Sequence, residues 1–192
     1  MTTNAPATRV GRRVVVSGLA GAGKSTFSRA LAAKTGLPLV VLDRHFWRPG
    51  WVEPSAEAWR EKQRALLAGD EWIADGNYHE TLELRVERAD TVVYLDTPWW
   101  VCSARAFVRG IRRPAGTEMP DGCVDSAWRR MKDEWWLVFR IWRVRNSEPA
   151  LELRVLETHA DRVTLHVLRT KRAVREFLAA VADDAPGGSG SA

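Results

Sequence analysis

At 192 residues, with 45% hydrophobic and 28% charged side chains, the chain has the composition of one globular domain with room for a substantial core. No apolar run approaches the roughly 20 residues that span a bilayer, and Met1 to Val10 lack the apolar stretch of a secretory signal, so the expectation is a cytoplasmic protein. The net charge of +5, carried nearly all by arginine, excludes little, because guanidinium groups grip the phosphates of nucleic acids and of nucleotides alike.

Residues 1–11 read as a polar tail. Arg12 to Ser17, with Val14-Val15-Val16 at its centre, reads as a buried strand. It runs into Gly18-Leu19-Ala20-Gly21-Ala22-Gly23-Lys24-Ser25, the spacing of a phosphate-binding loop. The mechanical reason lies in Gly18 and Gly23, which let the backbone turn so that successive N–H groups face the phosphates. Lys24 opens the next helix within reach of the β- and γ-phosphates, and the Ser25 hydroxyl is placed for Mg²⁺. The helix N-terminus adds partial positive charge. Gly18, Ala20 to Ser25 and Thr26 are therefore the expected nucleotide-binding residues, with ATP and Mg²⁺ as ligands.

That first helix should end near Lys34, before Gly36. Pro38 to Leu42 reads as a second strand ending at Asp43, and Ser55 as the N-cap of a helix through Ala68, closed by Gly69. Trp72 to Ala74 is a short third strand ending at Asp75-Gly76, and Thr91 to Leu95 a fourth with Asp96 at its end. Pro98 opens a helix to about Arg112, a Pro- and Gly-bearing loop follows to Asp125, and a tryptophan-rich helix covers about 126–143. Val163 to Leu168 is a fifth strand and Lys171 to Val181 a last helix, with a flexible tail at 183–192.

Strands alternating with helices predict a parallel α/β sheet covered on both faces. Ligands of such sheets sit at the carboxyl ends of the strands. Asp43, Asp75 and Asp96 each end a strand on the edge that carries the glycine loop, where Mg²⁺ and a phosphate acceptor would lie.

Two cysteines, Cys102 and Cys123, are too few for a disulfide framework and lack the partners of a zinc site. Ten tryptophans are many for this length, and several adjoin arginines, as in Phe46-Trp47-Arg48 and Trp142-Arg143. Core packing and arginine stacking explain them more simply than base-stacking platforms.

Three further blocks carry a family resemblance. Leu42-Asp43-Arg44-His45-Phe46-Trp47-Arg48-Pro49-Gly50-Trp51 resembles the hallmark of the topology modulation proteins, an adenylate kinase-like branch of P-loop proteins. Trp72-Ile73-Ala74-Asp75-Gly76-Asn77-Tyr78, with Arg85 and Ala89-Asp90-Thr91, resembles that family's second signature, and Leu95-Asp96-Thr97-Pro98-Trp99 its third. The chain departs from the family in the lid, where Arg113-Pro114 is followed by Ala115 and Asp121-Gly122-Cys123 comes later.

The resemblance implies a nucleoside monophosphate kinase-like fold: a P-loop NTPase with a five-stranded parallel sheet, helices on both faces and a helical lid. The domain would span 12–182, with an acceptor-side insertion at about 44–70 and the lid at about 113–145. It also implies roles. Asp75 would support Mg²⁺ together with Ser25, although Asp96 ends a strand that resembles a Walker B strand. Asp43 resembles the carboxylate that orients or deprotonates an acceptor hydroxyl, with a capping or ion-pair role as its rival. Arg85 resembles an acceptor-phosphate arginine. His45, Trp47, Trp51 and Tyr78 would complete the acceptor site. Arg105 and Arg109, four apart on one helix face, could meet the triphosphate. Arg113, Arg140 and Arg143 would close over the γ-phosphate, where the transition state spreads charge over equatorial oxygens.

The expected function is an ATP-dependent transfer of the γ-phosphoryl group to a small acceptor, with the aromatic residues pointing toward a nucleoside or nucleotide. Asn77-Tyr78 stands where a nucleoside monophosphate kinase carries Pro-Arg, which argues against efficient AMP phosphorylation. Alternatives are a nucleotide-dependent DNA- or RNA-binding ATPase, drawing on the basic, tryptophan-rich stretch from Trp128 to Arg145, and a switch-like ATPase acting on a protein partner.

Overall fold

The computed structural model describes residues 10–112 and 127–181, with side chains described for 10–109 and 135–181. Five parallel strands, β1 (Arg13–Ser17), β2 (Leu39–Val41), β3 (Trp72–Asp75), β4 (Thr91–Leu95) and β5 (Thr164–Leu168), form one sheet in the order β2-β3-β1-β4-β5. Helices α1 (Lys24–Thr35), α2 (Leu42–Phe46), α3 (Ala56–Leu66), α4 (Leu82–Val86), α5 (Trp99–Arg112), α6 (Ala127–Val144), α7 (Ser147–Thr158) and α8 (Lys171–Ala180) connect and cover the strands.

The valine run of β1 explains the layering. Successive strand side chains point to opposite faces, so Val14 and Val16 join Phe27, Leu31, Ile73, Val93, Cys102 and Phe177 in one core. Val15 joins Trp72, Ala74, Val86, Val92, Tyr94 and Leu156 in the other. The strand is fully buried on both sides and therefore reads as continuously apolar.

Boundaries follow local chemistry. The Ser55 hydroxyl accepts from the Ala58 N–H at 3.2 Å and starts α3, as its position predicts. Gly36 ends α1 at φ 71°, donating its N–H to the Ala32 carbonyl. The second strand departs from expectation: β2 stops at Val41 and the chain turns at once into α2, so Leu42 and Asp43 are helical. Leu42 is buried, with its side chain under Gly76, where an added Cβ would meet it at 2.8 Å. Two stretches carry helices that periodicity does not announce. Residues 79–86 form a 3₁₀ turn (His79–Thr81) and α4, too short for a 3.6-residue period to show. α7 is hidden for another reason, which concerns the site.

Register aligns the sheet edge. Val16 pairs with Asp75, and Val41 pairs with Asp75 from the other side. Asp75 is thus flanked by the strand that leads into the glycine loop and by the strand that leads to Asp43. Leu95 pairs with Leu168, so Asp96 follows β4 on the far side of β1.

Candidate functional site

The glycine loop leaves β1 at Ser17 and enters α1 at Lys24. Gly18 has φ +132°, and a Cβ there would fall 2.5 Å from the Leu95 carbonyl oxygen. Gly21 has φ +83°, and its Cβ would meet the Cys102 carbonyl oxygen, also at 2.5 Å. Neither position admits a side chain. The loop's carbonyls are taken by cations: Lys24 Nζ donates to Gly18 O at 2.7 Å and Leu19 O at 3.0 Å. Arg105 Nη1 donates to Ala22 O at 2.8 Å and Gly21 O at 3.3 Å. The N-cap of α1, Gly23, offers no side chain to the first N–H groups of the helix. An open helix N-terminus beneath a cation-lined loop is the donor set that a polyphosphate requires.

Lys24 is buried, and burial pulls its ammonium below the ordinary lysine range while Asp75, Glu152 and Asp43 pull it back up. Asp75 is 3% exposed, and its Oδ1 has no hydrogen-bond partner. Burial pushes its carboxyl above the usual value, opposed by the Ser25 hydroxyl and the Lys24 ammonium beside it. An orphaned buried carboxylate oxygen next to a serine hydroxyl fits a divalent cation with oxygen ligands. Asp96 is engaged elsewhere: Arg169 Nε donates to its Oδ2 at 3.1 Å on the β5 side of the edge. Of the two acids that the strand ends offer, Asp75 is the one beside Ser25. Glu83, Glu87 and His159 also bring ligand atoms within 4.8 Å of one another, but both carboxylates are exposed, and exposed acids gather without a metal.

On the acceptor side, Asp43 is exposed in the first turn of α2, and the Tyr78 hydroxyl lies against its carboxylate. Burial and that carboxylate push the Tyr78 phenol far above its ordinary range. Phe46 stacks edge-on against Trp47 and Trp59, at 5.1 Å in each case, and tilted against Tyr78 at 4.9 Å. Trp47 meets Trp51 at 5.5 Å, with Trp51 itself at φ 65°. The rings form one wall, with His45 half-buried beside them and its carbonyl accepting from Lys62 at 2.6 Å.

Arg85 stands differently from the role the motif suggests. It is 1% exposed and donates to Gly76 O at 2.9 Å and Tyr78 O at 2.6 Å, so the guanidinium braces the Asp-Gly-Asn-Tyr turn. Burial lowers it to about 10, against the charges of Glu152, Tyr78, Asp43 and Asp75. Arg105 likewise holds the glycine loop by its carbonyls. Arg109 and Arg143 are exposed on α5 and α6, and Arg113 lies outside the described residues. Arg140 donates to Glu148 at 2.5 Å.

Glu148 and Glu152 are absent from the sequence reading. Both lie on α7, 4% and 3% exposed, in line with buried Leu156 one turn on. Glu148 also accepts from Asn77 Nδ2 at 3.4 Å and faces His79 Nδ1 at 3.5 Å. Glu152 Oε2 accepts from Ser17 Oγ at 3.0 Å. Their i, i+4, i+8 spacing with Leu156 was the available signal, together with Pro149 in the first turn of the helix. Acids on such a stripe normally mark the solvent face, which is why the pattern hides them.

No family model matches the chain, and no curated protein matches it in sequence. Solved structures do. The chain is similar to a shikimate kinase from Acinetobacter baumannii in complex with shikimate, at 17% identity and a TM-score of 0.50, over 88% of this chain and 89% of that one. It is also similar to a shikimate kinase from Bacteroides thetaiotaomicron, at 18% identity and a TM-score of 0.47, over 88% and 94%. At 17% identity the likeness to the Acinetobacter baumannii structure is one of fold alone: a parallel sheet covered by helices.

Proposed function

We propose that the chain is an ATP-dependent phosphotransferase whose acceptor is a small hydroxyl-bearing molecule. The observation that carries this reading is the buried Asp75 carboxylate, with one unpartnered oxygen, set beside Ser25 and Lys24 at the glycine loop. In this reading the N–H groups at the start of α1 and the Lys24 ammonium hold the β- and γ-phosphates, and Ser25 and Asp75 hold Mg²⁺. The metal supplies charge neutralisation across the transferring group. Asp43 orients the acceptor hydroxyl and takes its proton as that oxygen bonds to the γ-phosphorus and the bond to the bridging oxygen of ADP breaks. Tyr78 holds the Asp43 carboxylate in place.

A small-molecule acceptor is supported by the Acinetobacter baumannii structure, which holds shikimate. Against a nucleoside monophosphate stands Arg85, whose Nη groups are engaged by Gly76 and Tyr78 carbonyls rather than open to an acceptor phosphate. The test is ATP consumption in Mg²⁺ against a panel of nucleosides, nucleoside monophosphates and hydroxylated metabolites. Stimulation by at least one hydroxyl compound, abolished by Lys24→Met, is expected. Calorimetry showing neither ATP nor GTP retained at millimolar concentration in Mg²⁺ would refute the reading.

A second reading, a nucleotide-dependent nucleic-acid-binding ATPase, draws on α6. Trp135, Trp136 and Trp142 are 50 to 62% exposed, with Arg140 and Arg145 over indole rings at 6.0 and 5.0 Å. It requires single-stranded DNA affinity that falls steeply with salt, and no binding at low salt removes it.

A further inference from the structure

The glycine loop lies where β1 ends; the opposite side of the sheet, where the strands begin, holds a second group of chemistry-bearing side chains. α4 leads into β4 and α7 into β5, so the carboxyl ends of both helices lie on that far side. Glu83 and Glu87 stand one turn apart on α4 and its C-cap, with the Glu87 N–H donating to the Glu83 carbonyl at 2.8 Å. His159 is the C-cap of α7. The two carboxylates and the imidazole bring one ligand atom each within 4.8 Å of one another.

Exposed acids gather without a metal, and these two are exposed; the histidine sets the cluster apart. His159 is only 9% exposed, and its Nδ1 lies 2.9 Å from the Val155 carbonyl oxygen. A carbonyl can only accept, so the proton sits on Nδ1 and the lone pair of Nε2 is left for a ligand. Metal-binding histidines are held in this way, one ring nitrogen donating to a carbonyl while the other meets the ion. Among the described residues, nothing hydrogen-bonds to Nε2 and neither carboxylate has an ion-pair partner. Arg162 comes close, but its Nη2 donates to the Glu87 backbone carbonyl at 3.4 Å. Two like charges one helical turn apart repel, and a dication between them reverses that sign.

An imidazole beside two carboxylates is a nitrogen–oxygen donor set. It suits Zn²⁺ and neighbouring transition metals, whereas Ca²⁺ and Mg²⁺ take oxygen ligands. Ligand atoms bound tetrahedrally to zinc stand about 3.3 Å apart. Exposed glutamates can close to that spacing by side-chain rotation while the buried ring stays in place.

We propose that Glu83, Glu87 and His159 bind a divalent transition metal of the zinc class, with water completing its shell, and that the ion clips α4 to α7. α4 also carries Arg85, which braces the turn at residues 76–78, and α7 carries Glu152, which accepts from Ser17. The clip is structural, and it stands whether or not the chain transfers phosphate.

The test is a calorimetric titration and a thermal melt of the full chain, stripped with a chelator and then given zinc chloride. Zn²⁺ binds at micromolar concentration, and at a hundredfold excess over Kd the Tm rises by about 5–10 °C. Glu83→Gln/Glu87→Gln, at exposed positions, melts no lower than the wild type without metal, since a like-charge pair is gone. That double variant and His159→Gln each bind Zn²⁺ at least about tenfold more weakly. Co²⁺ in place of zinc gives visible d–d bands without the near-ultraviolet charge-transfer band of a thiolate ligand, which separates this site from Cys102 and Cys123. Absence of Zn²⁺ uptake at micromolar concentration overturns the proposal. So does an undiminished Tm rise in Glu83→Gln/Glu87→Gln, which places the ion elsewhere, and so does a thiolate band in the Co²⁺ spectrum.

Discussion

The glycine loop and the α5–α6 pair are neighbours built on opposite terms. In the loop, the carbonyls of Gly18, Leu19, Gly21 and Ala22 accept from Lys24 or Arg105, and there is no space for a Cβ at Gly18 or Gly21. Along α5 and α6, Trp100, Trp135, Trp136, Phe139 and Trp142 are 50 to 62% exposed. A cleft of about 470 Å³ opens there between Trp99, Ser103, Trp135, Val138, Phe139 and Trp142. The contrast teaches that this chain confines its closest backbone packing to the glycine loop. Among the described residues of α5 and α6, large aromatic side chains stay exposed.

That comparison can be broken at several points. The largest effect belongs to Lys24→Met, which should lower ATP turnover by about 10²- to 10³-fold while the Tm moves only a few degrees. A coupled ADP-release assay beside a thermal melt measures both, and undiminished turnover would remove the loop from the chemistry. Next is Phe27→Ala, which empties a site 2% exposed on α1 between the sheet and Phe177. Denaturant melts should show a loss of about 3–5 kcal/mol.

Asp75→Asn sharpens the comparison through pH. Burial raises the folded-state pKa of Asp75 above its ordinary 3.8. Its stabilising contribution is therefore complete below that value and lost as pH rises through the folded-state pKa. Without Mg²⁺, the asparagine variant should be more stable than the wild type at neutral pH, with the gap closing toward pH 4, about the ordinary carboxyl value. Urea melts across that range decide it; a gap that widens on acidification would reverse the sign assigned to this carboxyl. The same variant should lose Mg²⁺-dependent nucleotide binding, because stability and function pull apart at such a site. The smallest effect is Trp100→Ala, at a residue 60% exposed, where equilibrium unfolding should shift by about 0.5 kcal/mol or less. A loss as large as that of Phe27→Ala would mean that the aromatic face is packed after all.

The regular elements were legible wherever a local rule sufficed. The valine run predicted β1, Ser55 predicted the start of α3, and Thr91 to Leu95 predicted β4 residue for residue. Asp43 was placed on the ligand edge, but as the end of a strand; burial of Leu42 beneath Gly76 turns the chain into α2 one residue before it. Arg85 was singled out by its motif, yet its direction depends on carbonyls of residues 76 and 78, which only the folded turn brings to it. The choice between Asp75 and Asp96 needed the strand order, because sequence shows both as strand ends and only register puts one beside Ser25 and the other beside Arg169.

By itself the sequence determines the glycine loop and the alternation of strands and helices, since glycine conformational freedom, apolar runs and caps act within a few residues. Tertiary structure alone decides which charges are answered. Ser17 and Glu152 lie 135 residues apart, and nothing local in either segment announces that they meet. A carboxylate on a helix reads as solvent-facing until a sheet edge with a serine is packed against it. The energy of a buried charge is a property of what surrounds it, and those surroundings are assembled only by the fold.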